Sequence, residues 1–145
     1  MRDILFKNED FIFSYRVGGI LIYENKILLQ KYKNDYTIIG GHVSGMETNE
    51  ETLKREFEEE LGARIEVDGL MAVGENFFAW DNVPWHQICL YYKVHLCDFG
   101  SIPMDGVFRG YDEWEDGTFE LDFCWIPLEE LDQVHMLPKE LIPYI

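Results

Sequence analysis

One segment constrains the fold more than any other, because it carries the signals for both ends of an α-helix. Thr48 is followed three residues later by Glu51, a pairing known as a capping box, which predicts that the helix begins there. Gly62 is the natural end, since glycine readily takes the left-handed conformation that closes a helix. Three apolar residues between these limits are spaced four apart and mark the buried stripe: Leu53, Phe57 and Leu61.

The same helix carries a row of carboxylates, Glu56, Glu59 and Glu60, in a chain with a formal net charge of −16. Like charges at these spacings face each other, which costs roughly 0.2–0.5 kcal/mol per pair. At about 100° per residue from Leu53, Glu60 and Glu56 fall directly beside the apolar stripe, and Glu59 is next on the same flank. Merely solvated charges would lie opposite the stripe. The row therefore predicts a groove at the edge of the core that suits a hard divalent cation, Mg²⁺ or Mn²⁺.

Strand-like segments surround the helix. Before it, a turn at Glu24-Asn25 joins two segments into a predicted hairpin, and a third short strand ends at Gly40-Gly41. After it, residues 85–96 alternate with a period of two. The predicted strands are residues 13–23, 26–32, 36–39, 64–73, 85–96 and 119–126. This arrangement predicts a mixed α/β layer structure.

The remaining segments carry weaker signals. Residues 98–118 are rich in Gly and Asp without periodicity and are predicted to form a long loop. Pro127 predicts the start of a short helix in LEELDQV, and LPKELIPYI predicts one further helical turn. Because 47% of the 145 residues are apolar and no linker or repeat is visible, we expect a single domain over residues 1–145.

The composition argues against several classes of function. A pI near 4.4 disfavours non-specific binding to nucleic acid or to anionic membranes, because both require a basic surface. The net charge also disfavours an RNA-cap substrate, since long RNA would be repelled. Cys89, Cys97 and Cys124 are odd in number and lack CxxC spacing, so neither a disulfide framework nor a structural zinc site is expected. Without a membrane-length apolar run or a signal-peptide core, a cytoplasmic location is expected.

Residues 41–63, GHVSGMETNEETLKREFEEELGA, resemble the Nudix box, G-x5-E-x7-R-E-U-x-E-E-x-G-U, in which U is a bulky apolar residue. Every fixed position of the box is present, although the last apolar place is held by Ala63 rather than by a larger aliphatic residue. Ile39 stands where many members have proline, and Met46 stands where glycine usually precedes the box glutamate. The order of strands around the box is similar to the family over most of the chain. The resemblance implies a Nudix-type α/β/α sandwich with a mixed β-sheet.

The resemblance also implies a function. Nudix enzymes hydrolyse the pyrophosphate bond of a nucleoside diphosphate linked to another group, with Mg²⁺ and in some cases Mn²⁺ as the cofactor. The expected metal ligands are three carboxylates and one backbone carbonyl: Glu56, Glu59, Glu60 and Gly40. Glu47 and Arg55 are expected to pair and orient the helix. Independently of the resemblance, Arg55 has Glu51 and Glu59 four residues away on either side and can hold part of the acidic row.

The general base is left open by the sequence. A divalent cation makes water easier to deprotonate, so a nearby carboxylate suffices as the base. It could be a glutamate of the box or one from the late segment. Glu113, Glu115 and Glu120 are the late candidates, and Glu120 lies nearest the final strand. Each of the three, taken alone, is more often a solvated loop charge.

Substrate contacts are less constrained. No sequence motif typical of one substrate subfamily follows the Nudix box. The cationic candidates for phosphate contacts are Arg16, Lys31, Lys33 and Arg109. Phe78 and Trp80 are the aromatic candidates we place first, within a set that also includes Phe77, Trp85, Tyr111 and Trp114. Because most large aromatic side chains pack in the core, only one or two should touch a ligand.

Two functions from different classes remain compatible with this pattern. The first is a metal-dependent hydrolase acting on a small, soluble, nucleotide-like substrate, as a monomer or a homodimer. The second is a Nudix-fold module that binds a nucleotide without cleaving it. Such a sensor would be expected to have lost box carboxylates, whereas this chain keeps all three. The enzyme is therefore the favoured hypothesis.

Overall fold

The computed structural model describes residues 2–114 and 117–145, and the side chains of these residues except those of 111–120. Its elements follow the chain in this order: β1 Leu5–Lys7, β2 Ile12–Tyr23, β3 Lys26–Tyr32, β4 Asp35–His42, α1 Asn49–Leu61, β5 Ile65–Trp80, β6 Val83–Leu96, β7 Val107–Trp114, β8 Gly117–Pro127, the 3₁₀ helix Leu128–Gln133, β9 Met136–Leu137 and the 3₁₀ helix Lys139–Tyr144.

The strands form one mixed sheet in the order β5-β6-β2-β4-β3-β8-β7, with β1 paired to β2 and β9 paired to β4. The contact between β2 and β6 is parallel, whereas the pairs β5–β6, β2–β4 and β3–β8 are antiparallel. The predicted turn between β2 and β3 is confirmed. Glu24 and Asn25 have φ values of 50° and 62°, as a tight two-residue hairpin requires.

Apolar side chains form two cores, one on each face of the sheet. The first lies under α1, where Leu53 and Phe57 pack against Val17 and its neighbours. The second lies on the opposite face, where the 3₁₀ helices contribute Leu131 and Leu141. The predicted sandwich with a mixed sheet is therefore confirmed, and its third layer consists of 3₁₀ turns. Within the described part of the chain, no helix is long and apolar enough to span a membrane.

The close approach of α1 to the sheet depends on Gly19. A Cβ atom at Gly19 would lie 2.7 Å from the ring of Phe57, closer than real Cβ contacts permit. The glycine thus lets a large ring lie directly on the backbone of β2. This contact fixes the depth at which α1 sits and hence the height of its acidic flank above the sheet.

Two strand predictions were wrong. The predicted loop 98–118 contains β7, Val107–Trp114, and the first residues of β8. β7 lies at one edge of the sheet, where Phe108 packs against the core and Val107 is 61% exposed. Its next inward residue is Gly110, whose low strand propensity hides the alternation in the sequence. The predicted strand 64–73 continues to Trp80. Register shifts between Val67 and Gly69 and between Leu70 and Ala72 break the period of two in its first half.

Candidate active site

The ends of α1 form as the sequence predicts. The backbone N–H of Glu51 donates to Thr48 Oγ1 at 3.1 Å, and Thr48 Oγ1 is also 3.1 Å from Glu51 Oε1. Gly62 takes φ = 66°, and its N–H bonds the carbonyl of Glu58 at 2.9 Å. The limits of the helix set the rotation of its faces, so these caps decide where the carboxylates point.

The acidic row runs from the core to the solvent. Glu60 is only 5% exposed, whereas the side chains of Glu56 and Glu59 are 14% and 59% exposed. The order agrees with the predicted flank beside the apolar stripe. A buried carboxylate is costly unless it is paired or coordinates a metal, so the placement of Glu60 and Glu56 points to a cationic partner.

Arg55 is the cation at the centre of the row. Its Nη1 atom lies 3.2 Å from Glu56 Oε1 and 3.3 Å from Glu59 Oε2. The other side of the guanidinium grips Glu47 in a two-point contact, with Nε 2.9 Å from Oε2 and Nη2 3.0 Å from Oε1. The expected pairs of Arg55 with Glu47 and Glu59 are therefore present, while Glu51 pairs with Thr48 in the helix cap.

Glu47 is held as an anion. Its side chain is 8% exposed and accepts a bond of 2.6 Å from Thr52 Oγ1 in addition to the two bonds from Arg55. The guanidinium of Arg55 holds the pKa of Glu47 below its usual value, against the opposing effect of burial. Fully engaged in this way, Glu47 positions Arg55 and the start of the helix.

Gly41 lies directly against the side chain of Glu56. A Cβ atom at this position would lie 2.5 Å from Cδ and 2.6 Å from Oε1 of Glu56. Neighbouring Gly40 is equally constrained, since its Cβ would lie 1.9 Å from the carbonyl oxygen of Val17. The paired glycines therefore let the end of β4 pass directly beneath the acidic flank of α1. This brings the Gly40 backbone, the expected carbonyl ligand, to the same region as the carboxylates.

The carboxylates of this row suit a hard divalent cation, because Mg²⁺ prefers oxygen ligands. Two of them, those of Glu56 and Glu59, already converge on one nitrogen of the Arg55 guanidinium. In the described residues, no three Asp, Glu, His or Cys side chains form a complete metal-binding cluster. Arg55 Nη1 lies between two of the expected ligands. Metal binding would require these side chains to turn from Arg55 toward the ion.

A second group of expected residues lies on the face of the sheet away from α1. Arg16 is half-buried there, close enough to Cys89 and Tyr91 that its charge offsets part of the burial that raises their pKa values. Arg16 is the register partner of His42, which follows Gly41 on β4. The site on α1 and this group therefore lie on opposite faces of the sheet, beside the consecutive residues Gly41 and His42 of β4.

Aromatic rings extend this group across the sheet. The ring of Phe78 stacks on Trp85 with centroids 5.8 Å apart, and Trp85 stacks on His42 at 6.3 Å. Phe78 is 42% exposed, so one side of its ring is open. Trp80 is 55% exposed two residues further along β5. His42 was missed by sequence reasoning, although its position directly after the paired glycines is a usable signal.

The other cationic candidates lie elsewhere. Lys31 and Lys33 stand over the rings of Tyr36 and Tyr32 at the tip of the β3–β4 hairpin. Five residues of strand, about 17 Å, separate Tyr36 from Gly41. Arg109 on β7 pairs with Asp122 at 3.3 Å. Its neighbour Gly110 faces the Glu60 carbonyl, so the Arg109 side chain points to the opposite face of the strand, away from α1.

The late candidates for the general base fall largely outside the described structure. Glu115 lies outside the described residues. Glu113 and Glu120 belong to β7 and β8, where the backbone is described and the side chains are not. Their strands form a hairpin, and β7 packs against α1. The role of Glu120 therefore stays a prediction.

A match to a family model places the chain in a known family. The family model of the NUDIX domain matches residues 13–145, so the chain belongs to the Nudix family. A MutT NUDIX hydrolase from Burkholderia pseudomallei is similar in structure, with a TM-score of 0.66 and 22% identity over 92% of this chain and 98% of that one.

Two further solved structures are similar. The MutT protein from Methanosarcina mazei Go1 has a TM-score of 0.60 and 17% identity, over 95% of this chain and 93% of its own. An ADP-ribose pyrophosphatase from Streptococcus suis 89-1591 has a TM-score of 0.53 and 14% identity, over 81% and 76%. No curated protein sequence is a significant match. At these identities, the structural likeness establishes the fold.

Proposed function

We propose that the protein is a Mg²⁺-dependent hydrolase that cleaves the pyrophosphate bond of a small nucleoside diphosphate-linked substrate, with Mn²⁺ as an alternative ion. The observation that carries the proposal is the convergence of Glu56 and Glu59 on Arg55 Nη1, directly beside buried Glu60. Family membership supports the same class of reaction.

The roles of the residues follow from their positions. Glu56, Glu59, Glu60 and the Gly40 carbonyl would hold the ion, which when bound neutralises phosphate oxygens and makes water easier to deprotonate. Glu47 and Arg55 keep the start of α1 in place through their two-point contact. The general base is a carboxylate of the box or Glu120.

The opposite face of the sheet supplies the remaining substrate contacts. In this proposal Arg16, the register partner of His42, would contact a phosphate, and the ring of Phe78, which stacks on Trp85, would stack on a base. Trp80 and Arg109 are further candidates at the rim, and Lys31 and Lys33 are the least favourably placed. A small substrate fits the charge of −16 better than a long nucleic acid, and a cytoplasmic location is part of the proposal.

The test is a phosphate-release screen with Mg²⁺ and with Mn²⁺ over nucleoside triphosphates, oxidised nucleotides, nucleotide sugars, ADP-ribose and dinucleoside polyphosphates. We expect turnover of one class, lost on addition of a chelator. Glu59→Gln and Glu60→Gln should each lower the rate by at least about 100-fold, since each removes a ligand charge. Glu58→Gln is the matched control, because Glu58 is exposed on the same helix and the hydrogen bonds and ion pairs described for Arg55 go to other residues.

Either of two results would contradict the proposal. Wild-type rates in both ligand variants on a confirmed substrate would show that the assigned roles are wrong. Absence of turnover across the panel, in protein that calorimetry shows to bind Mg²⁺ and a nucleotide, would instead identify the non-catalytic sensor.

A further inference from the structure

An N-terminal arm, residues 2–7, is bonded to the segment that joins β4 to α1. The arm precedes the region that the family model matches. The backbone N–H of Ile4 donates to the carbonyl of Val43 at 2.8 Å, and the N–H of Gly45 donates to the carbonyl of Arg2 at 2.7 Å. The arm therefore fixes the backbone of the segment that leads into α1 at two points.

Ser44 lies between these two points and is only 6% exposed. Its hydroxyl donates to Asp3 Oδ1 at 3.4 Å and accepts from Arg55 Nη2 at 3.3 Å. A hydroxyl carries a single hydrogen, so the hydrogen that points to Asp3 leaves the lone pairs of the oxygen to face Arg55. Asp3 thus sets the direction in which Ser44 accepts a hydrogen bond.

Ser44 completes the hydrogen bonding of Arg55. A guanidinium has five N–H groups, and each of them has an acceptor here. Two donate to Glu47, one to Ser44, and one each to Glu56 and Glu59. If Glu56 and Glu59 turned toward an ion, Arg55 would keep three of these bonds. Ser44 would then supply one bond in three, whereas it supplies one in five in the structure.

We propose that Asp3 and Ser44 are positioning residues that hold Arg55 in place when a metal ion is bound, an inference that rests on the proposed metal-dependent function. An ion held by the two carboxylates that now contact Arg55 Nη1 would repel the guanidinium. At Nη2, the Ser44 oxygen and the Asp3 carboxylate behind it supply negative charge that offsets this repulsion. Both residues therefore favour the metal-bound state more than the metal-free state.

The test is calorimetric titration of the full chain with Mg²⁺, using variants of both residues and a matched control. Asp3→Asn and Ser44→Ala should each weaken Mg²⁺ binding about tenfold, the lower end of the loss seen when outer partners of metal ligands are removed. Asp10→Asn is the control, because Asp10 is exposed just before β2 and the substitution removes the same charge. It should leave the Mg²⁺ affinity unchanged.

The double variant separates a route through Ser44 from one through His42, since Asp3 Oδ2 also lies 3.8 Å from His42 Nδ1. If Asp3 acts on Arg55 through Ser44, Asp3→Asn should have no further effect in the Ser44→Ala background. Urea unfolding without Mg²⁺ is the second readout. A purely structural role would lower the free energy of unfolding and leave the Mg²⁺ affinity unchanged.

Three results would overturn the proposal although the wild-type chain binds Mg²⁺. These are unchanged affinity in both single variants, equal losses in Asp3→Asn and Asp10→Asn, and additive losses in the double variant. A wild-type chain that does not bind Mg²⁺ would refute the proposed metal dependence, and this inference with it. The wild-type titration therefore distinguishes the two failures.

Discussion

Substituting Gly41 by alanine tests whether the close approach of the β4 backbone to Glu56 positions this expected metal ligand. The added Cβ would lie 2.5 Å from Cδ, 2.6 Å from Oε1 and 2.9 Å from Cγ of Glu56. The atoms in conflict belong to the end of a flexible side chain, and Gly41 does not adopt a positive φ. The clash should therefore displace the carboxylate and leave the backbone in place.

The two consequences differ in size. Overpacking that a side chain can relieve by rotation costs about 1 kcal/mol of unfolding free energy, the lower end of the usual range. Disturbing a group that orients a metal ligand, by contrast, typically lowers metal affinity or activity by about 10- to 100-fold. Gly41→Ala should thus lose most of its activity while remaining folded.

The assays are Mg²⁺ titration by calorimetry, turnover of the substrate found in the screen, and urea unfolding. Gly45→Ala is the matched control in the same loop, because its Cβ would meet nothing closer than the carbonyl of Arg2 at 3.6 Å. Wild-type Mg²⁺ affinity and turnover in Gly41→Ala would refute the reasoning. A loss of more than about 4 kcal/mol of stability would also refute it, since the backbone would then be bearing the clash.

Two further substitutions probe the packing and the ion pair behind the site. Gly19→Ala forces a Cβ against the Phe57 ring and should lower the unfolding free energy by about 1–3 kcal/mol in urea titrations; an unchanged value would mean that α1 shifts freely. Glu47→Gln should cost about 2 kcal/mol at neutral pH by weakening the bonds from Arg55 and Thr52. Because the pKa of Glu47 is lowered in the folded state, this difference should be constant well above pH 4.5 and shrink as pH falls through the folded-state pKa; a difference that grows on acidification would contradict the pairing.

The parts of the fold that the sequence predicted are those with local signals. The limits of α1 depend on Thr48, Glu51 and Gly62, all within the segment itself. The acidic flank follows from helix geometry once those limits are known. β7 was missed because one of its inward positions is Gly110, a residue with low strand propensity, while Val107 on its other face is exposed.

The unpredicted parts of the site depend on contacts between distant segments. The stack of Phe78, Trp85 and His42 arises from the positions of three strands across the sheet, and no short pattern records it. Likewise, the need for glycine at position 41 appears only when β4 lies under Glu56. The glycine at position 41 was recognisable from the Nudix box pattern, but the physical reason why glycine is needed there was not.

The contacts of Arg55 affect how the protein would bind a divalent ion. Since the guanidinium already balances Glu56 and Glu59, the folded chain contains its own competitor for the site. Metal binding would be an exchange, in which the divalent ion replaces the Arg55 guanidinium as the partner of the Glu56 and Glu59 carboxylates. The two hydrogen bonds from Arg55 to Glu47 would remain. Part of the intrinsic affinity of the carboxylates for the ion would therefore be spent on breaking their contacts with Arg55.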